Sequence, residues 1–385
     1  MEGDMKDLSE VRNEIDAIDD QLIALLRRRL EIADDVAKAK KAMGKAVNDP
    51  ARERAIMTRL TDGASPEDQN AIRLFYTTLF GISKARQRLI LHGSSPLTDA
   101  IHAATEEARE FPTRAMIAVP GVEGSYAQQA ASRLLPIPDI LYFNGFERVF
   151  EAVESGMCPY GILPIENSAA GSVVAVYDLM VRHNFKIVRS IRIKVDHVLL
   201  APRGVKLEDV KEVWSHPHAL AQCLNFFKLH PSIKAVPGTN TAGAAKELIA
   251  SNRRDVAVIA SRTCAELYGL DVISDQVADT TYNYTRFICI SKNLEIYPDA
   301  TKFSIMLSLP HRPGSLNSII SKFAAIGVNL TKLESRPIPG MDFEFRFTFD
   351  FEAKPTDPAV LALLSELSLN PEIERFSFLG AYQEL

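Results

Sequence analysis

"QLIALLRRRLEIADDVAKAK", residues 21–40, reads as a helix that sets a cation where an apolar side chain belongs. Apolar residues recur at Leu8, Val11, Ile15, Ile18, Leu22, Leu25, Ile32 and Val36, in alternating steps of three and four. That spacing is the signature of an amphipathic α-helix. The step between Leu25 and Ile32 falls on Arg29. Lys40 lies eleven residues further on, three turns plus about 20°, so both cations face one way, roughly 16 Å apart along the axis. Two long side chains leaning inward from those positions can grip one small dianion.

Outward from this stretch, the first helix runs from Leu8 to Met43 and stops at Gly44. Asp49-Pro50 supplies an N-cap and a first-turn proline for a second helix ending near Asp62-Gly63. Ser65-Pro66-Glu67-Asp68 opens a third that ends at His92-Gly93. Arg52 and Glu53 lie in the first turns of the second helix, and Ser83 and Gln87, four apart, share a face of the third. Such a polar cluster inside a helical bundle is costly unless something anionic fills it. A first helix about 50 Å long leaves much of its apolar stripe uncovered unless a second copy packs on it. Arg12 lies roughly 25 Å from Arg29 along the rod and about a quarter turn away, so it is expected to reach a partner's pocket.

The match through VRNEIDAIDDQLIALLRRRLEIADDVAKAK, then NDPARER, then Ser83/Gln87 resembles the all-helical chorismate mutases. The resemblance implies that Arg12, Arg29 and Arg52 hold the substrate's carboxylates and that Asp49 and Glu53 bind its hydroxyl. Lys40 and Gln87 would donate to the ether oxygen, and Ser83 would complete the pocket. A pericyclic rearrangement needs neither nucleophile nor base, only a folded conformer and a cation at the breaking bond.

The whole chain has 385 residues, room for two to four domains. A net charge of −5 excludes the electrostatic footprint of a nucleic-acid binder. Cys158, Cys223, Cys264 and Cys289 are scattered with no CxxC pair, so neither a zinc site nor a disulfide framework is indicated. The acidic MEGDMKDLSE has no apolar signal core, and no stretch is long enough to span a membrane. The expectation is a cytoplasmic protein.

Four segments differ in texture: helices over 1–92, a polar, alanine-rich linker over 93–113 with room for a short helix from Thr98, an α/β segment over 114–293, and an α+β segment over 301–385. In the third, MIAV, ILYF, YGILPI, VAVIA and RFICI read as strands. FERVFEAVES, AGAAKELIAS and LEDVKEV read as helices, implying parallel sheets flanked by helices. KIVRSIRIKVDHVLLAP reads as extended chain crossing between two lobes. The fourth reads βαββαβ, a ferredoxin-like order.

In the α/β segment four stretches stand out: GVEGSYAQQA (121–130), PIENSAAGSV (164–173), WSHPHALAQC (214–223) and NYTRF (283–287). Together, in this order, they resemble prephenate dehydratases, whose fold is similar to two-lobed periplasmic binding proteins. The resemblance implies that Thr285 helps the ring hydroxyl leave and that Glu166, Asn167, Ser215 and Gln222 frame the ring. Ser125, Tyr126, Asn240, Thr241, Arg286 and Phe287 complete the substrate site, Arg286 either anchoring a carboxylate or bracing its strand. Val122, His218 and Asn240 stand where the family usually has Pro, Gln and Ser. Aromatisation drives the loss of carbon dioxide and water, and a lone hydroxyl is a weak acid, so Thr285 needs help.

LPHRPGSLNSIISKF and NLTKLESRPIPG resemble the ACT regulatory domain. Gly314, Ser315 and Leu316 at a helix start, with Glu334, Ser335 and Arg336 after a strand, would form a phenylalanine site between two such modules. The resemblance as a whole implies a bifunctional enzyme taking chorismate through prephenate to phenylpyruvate. It would use no metal or cofactor, be feedback-inhibited by L-phenylalanine, and assemble as a homodimer or larger. The alternatives are a ligand sensor whose helices only dimerise, and a dehydratase preferring arogenate.

Overall fold

The computed structural model describes residues 7–338 and 344–385. The start of MEGDMKDLSE and the Pro339-Gly340 end of the ESRPIPG stretch lie outside them.

Three helices open the chain: α1 (Leu8–Met43), α2 (Pro50–Thr61) and α3 (Pro66–His92). Their caps are the expected ones. Gly44 ends α1 in the left-handed region at φ 63°, Asp49 accepts from the Arg52 amide, and Ser65 accepts from the Asp68 amide. α1 buries only Ala33 and Ala37, on the side that meets α3. The apolar stripe itself is uncovered: Leu8, Ile15, Ile18, Leu22, Leu25 and Ile32 are all about half exposed or more.

The expected linker contains α4 (Pro96–Glu106), which begins two residues before Thr98. Its Ile101 is fully buried in the core of the C-terminal module, so this stretch is packed rather than free.

The α/β segment forms two lobes. The first contains β1 (Arg114–Pro120), α5 (Tyr126–Leu134), β2 (Ile137–Phe143), α6 (Phe146–Glu154), β3 (Tyr160–Asn167), β4 (Gly171–Ser172), α7 (Val174–His183) and β5 (Lys186–Lys194). The chain crosses at Val195-Asp196 into the second lobe. That lobe contains β6 (His197–Pro202), β7 (Glu212–Ser215), α8 (Pro217–Ala221), α9 (Leu224–Leu229), β8 (Lys234–Pro237), α10 (Thr241–Ser251), β9 (Val256–Ser261), α11 (Thr263–Tyr268) and β10 (Leu270–Ser274). It returns through β11 (Tyr284–Ser291). Strand order in the second lobe is β10-β6-β9-β7-β8.

Two expectations are corrected here. The sheets are mixed: β11 runs antiparallel to both β3 and β5, and β6 antiparallel to β9, because the crossing strands enter against the βαβ units. LEDVKEV is not a helix; Leu207–Asp209 is a single 3₁₀ turn and Glu212–Ser215 is β7. Val213 is fully buried there between two parallel neighbours, and sheet packing overrides the local pattern.

The C-terminal module is β12 (Lys302–Leu309), α12 (Ser315–Ala325), β13 (Leu330–Pro337), β14 (Phe345–Glu352), α13 (Pro358–Leu369) and β15 (Arg375–Glu384). Its strand order β13-β14-β12-β15 continues through β5-β11-β3-β1-β2, and with β4 paired on β3 off this path the whole is one ten-stranded sheet. The junction is the short parallel pairing of Gln383 and Glu384 with Arg189 and Ser190. It requires Gly380, because a Cβ there would collide with the Ile187 backbone carbonyl.

Candidate active sites

On the helical segment, Arg29 is half-buried and turned onto α3. Its NH1 donates to Ser83 Oγ at 2.5 Å, and its guanidinium lies 5.9 Å from the Phe80 ring centroid. Lys40 Nζ donates to the Val47 carbonyl at 2.5 Å. Neither cation is paired with a carboxylate among the described residues. Gln87 is buried, and its Oε1 has no hydrogen-bond partner. Arg29 and Ser83 therefore join the facing sides of α1 and α3, and the charges of Arg29 and Lys40 are left unneutralised by any carboxylate among the described residues. Asp49 is engaged as the cap of α2, and Arg52 is exposed nearby. Glu53 pairs with Lys84 at 3.2 Å. Arg12 stays exposed far along α1, outside this cluster.

In the α/β segment the decisive fact is strand parity. Thr285 pairs with Asn167 and Arg286 with Glu166 across β11 and β3, and adjacent residues point to opposite faces. Thr285 and Asn167 face the cleft. Asn167 Oδ1 accepts from the amides of Ala169 and Ala170, at 3.0 and 2.8 Å. Its Nδ2 must then be the donor to Thr285 Oγ1 at 2.9 Å and to Asn283 Oδ1 at 2.7 Å. Asn283 Nδ2 in turn donates to Gln222 Oε1 at 2.9 Å, carrying the chain into the second lobe. Thr285 is thus an acceptor within the protein, and its own O–H is free to be donated outward.

Other expected residues serve structure first. Ser215 is fully buried and donates to the Ile259 carbonyl at 2.5 Å. Ser125 caps α5, and Asn240 caps α10 with Thr241 at its first position. Tyr126 reaches across the lobes to donate to the Asp196 carbonyl at 2.8 Å, and burial pushes its phenol pKa up.

Glu166, Arg286 and Phe287 are corrected by the geometry. Arg286 lies on the reverse face, 6% exposed, with NH1 on Asp350 at 2.6 Å and NH2 on the Tyr382 hydroxyl. Its Nε lies 2.9 Å from Glu384, close enough for an ion pair though off line for a hydrogen bond. Burial opposes its charge, but Tyr382, Asp350 and Glu384 outweigh that and raise its pKa. Arg286 braces the strand, the second of its two expected roles, with its guanidinium taken up by Asp350, Tyr382 and Glu384. Glu166 faces the same way, 3.1 Å from Lys332 of β13. Phe287, past a bulge, is buried in the core under α5.

The two parts of the expected phenylalanine site also separate within one chain. Gly314 and Ser315 line a groove with Thr77 of α3. Glu334 pairs instead with Arg336 at 2.6 Å and accepts from Ser172 of β4 at 2.5 Å. A further cavity of about 660 Å³ is lined mainly by α3 and α13 and includes none of the expected site residues.

Sequence reasoning missed Lys84, Asp350, Tyr382 and His197, and it quoted Asn283 without a role. A polar residue inside the apolar VDHVLL run was the available signal for His197. Among the described residues no group of three or more His, Cys, Asp or Glu could hold a metal ion, and no helix is long and apolar enough to cross a membrane.

Comparison with known proteins matches the same two regions. The family model described as chorismate mutase type II matches residues 11–88, and that for prephenate dehydratase matches residues 117–295. A bifunctional chorismate mutase/prephenate dehydratase of Escherichia coli is 30% identical over 382 residues, covering 97% of this chain and 96% of that protein. The chain belongs to the bifunctional chorismate mutase/prephenate dehydratase family. Its helical segment is the mutase and its two-lobed segment the dehydratase, and it converts chorismate to prephenate and prephenate to phenylpyruvate. An arogenate dehydratase/prephenate dehydratase of Arabidopsis thaliana is 39% identical over 268 residues, covering 66% of this chain and 70% of that protein. A solved prephenate dehydratase from Arthrobacter aurescens, in complex with L-Phe, is 30% identical with a TM-score of 0.62, covering 70% of this chain and 89% of that one.

Proposed function

We propose that the two reactions run on the clusters described above. In the mutase, Arg29 and Arg52 hold the substrate carboxylates, and Arg12 of a second copy closes the pocket. Lys40 and Gln87 donate to the ether oxygen as the C–O bond breaks. In the dehydratase, the electron pair of the departing carboxylate's C–C bond moves into the ring. The ring hydroxyl leaves as water, taking a proton from Thr285, which recovers one from solvent.

The observation that carries the dehydratase assignment is Asn167 donating to Thr285. It fixes the hydroxyl as an outward donor and polarises it, which is the help a lone hydroxyl lacks. Neutral amides around it leave the departing carboxylate unpinned, as a decarboxylation requires.

The exposed stripe on α1 supports a homodimer, with Leu74 and Phe75 of α3 exposed as well. The βαββαβ module is read as an ACT domain. The separation of Gly314–Leu316 from Glu334–Arg336 within one chain supports an L-phenylalanine site formed between two copies. Prephenate is the preferred substrate because the fused mutase produces it. Location is cytoplasmic.

The test is product analysis of pure protein given chorismate, with and without L-phenylalanine. Lys40→Ala should leave chorismate unconsumed, and Thr285→Ala should accumulate prephenate. Phenylpyruvate from Thr285→Ala at the normal rate would remove Thr285 from the reaction.

A further inference from the structure

His197 sits where the chain has just crossed between lobes, 4% exposed and 25 residues before Gln222. Its Nε2 lies 3.1 Å from Gln222 Oε1 and its Nδ1 3.4 Å from the Tyr126 hydroxyl. The tautomer follows from the backbone. The amides of Ala169 and Ala170 fix Asn167 Oδ1, so Asn167 Nδ2 faces Asn283 Oδ1. Asn283 Nδ2 is left to face Gln222, whose oxygen must therefore be the atom turned toward both Asn283 and His197. The histidine nitrogen meeting that oxygen has to carry the proton. Gln222 Oε1 then has both lone pairs filled, and its NH₂ group is directed away from His197 and Asn283.

We infer that His197 is a positioning residue of the dehydratase site, its Nε2–H holding Gln222 so that the Gln222 NH₂ meets the substrate. The inference rests on reading Thr285 and Gln222 as that site. Two donors then converge on the reacting ring, the Thr285 hydroxyl and the Gln222 amide, each oriented by a chain that begins at backbone N–H groups. Burial lowers the pKa of His197, in keeping with a neutral ring in this place. The ring's proton is committed to Gln222, so His197 acts through that amide and not as a proton source for the reaction.

The experiment compares His197→Ala, His197→Gln and Thr285→Ala in the full-length protein. Both activities are assayed separately, and folding is checked by circular dichroism and thermal melting. Glutamine offers an N–H at the reach of the histidine Nε2 but cannot titrate. His197→Ala should lower dehydratase kcat about tenfold or more, the scale on which outer partners of functional groups act. KM should change little and mutase turnover should be unaffected, and His197→Gln should recover most of the loss. Unchanged dehydratase turnover in a folded His197→Ala protein, or a folded His197→Gln protein as impaired as the alanine variant, would overturn the role. If Thr285→Ala is inactive while His197→Ala is normal, this inference alone fails. If Thr285→Ala keeps turning over, the underlying site reading fails with it.

Discussion

Replacing Asp350 by alanine tests how the C-terminal module and the dehydratase sheet hold one another. Asp350 is 1% exposed and accepts from Arg286 NH1 at 2.6 Å and Ser304 Oγ at 2.5 Å. Its removal strands a guanidinium that is 6% exposed. Breaking a buried ion pair from one side costs about 3–5 kcal/mol. Glu384 stays 2.9 Å from Nε, and Glu166 3.8 Å from NH1, so the low end, about 3 kcal/mol, is the expected cost. At roughly 2–4 °C per kcal/mol for a unit of 150–250 residues, the transition falls by about 6–12 °C. Calorimetry of the full-length protein reads it directly. The pair Arg286→Met with Asp350→Leu should recover most of the loss, since both charges leave together. Thr285 is the neighbour of Arg286 on β11, so Asp350→Ala should also lower dehydratase kcat while mutase turnover holds. A melting temperature within about 1 °C of the parent would refute the reasoning, because a buried guanidinium cannot lose its closest carboxylate that inexpensively.

Gly380→Ala should cost about 1–3 kcal/mol and loosen the β15–β5 junction, since its Cβ meets the Ile187 carbonyl, a backbone atom with no rotamer to yield; increased exchange of the Arg192 and Leu385 amides, which bond across that junction, is the measurement. Leu25→Asp, at a position 64% exposed in the single chain, should leave the fold intact yet shift light scattering to monomer and reduce mutase turnover. An unchanged assembly would place the interface elsewhere. Glu384 and Glu334 both have pKa values below the ordinary 4.5. For Glu384, burial pushes upward and Arg286, Lys302 and Arg192 outweigh it; for Glu334, burial is outweighed by Ser172, Arg336 and Lys332. Folded values below unfolded ones mean stability that is complete above about pH 4.5 and lost as pH falls through the folded values. Melting temperatures measured below pH 5 should therefore drop less steeply in Glu384→Gln than in the parent.

The helical segment was legible almost to the residue because its ends are set by local chemistry: Gly44, Asp49-Pro50 and Ser65-Pro66 act on their own turns. The same holds for the βαββαβ order. The second lobe was harder, because LEDVKEV has helical spacing but its Val213 is claimed by two parallel strands. The candidate site shows the limit most clearly. PIEN and TRF placed Asn167 and Thr285 correctly at strand ends, yet Glu166 and Arg286 went with them because they are neighbours in sequence. In a strand, neighbours point apart. The roles of His197 and Tyr382 were out of reach for a different reason, since their partners Gln222 and Arg286 lie 25 and 96 residues away.

That same parity gives the module its purchase on the chemistry. Each cleft-facing residue has a reverse-facing neighbour held by the C-terminal module: Arg286 behind Thr285 by Asp350 and Tyr382, and Glu166 behind Asn167 by Lys332. A ligand that binds one seating of the module better than another biases these contacts by its difference in affinity, and by no more than that. A displacement of Arg286 would reach Thr285 through a single peptide unit, and one of Glu166 would reach Asn167 through another. No long pathway is required, only that the two faces of β3 and β11 belong to different tasks.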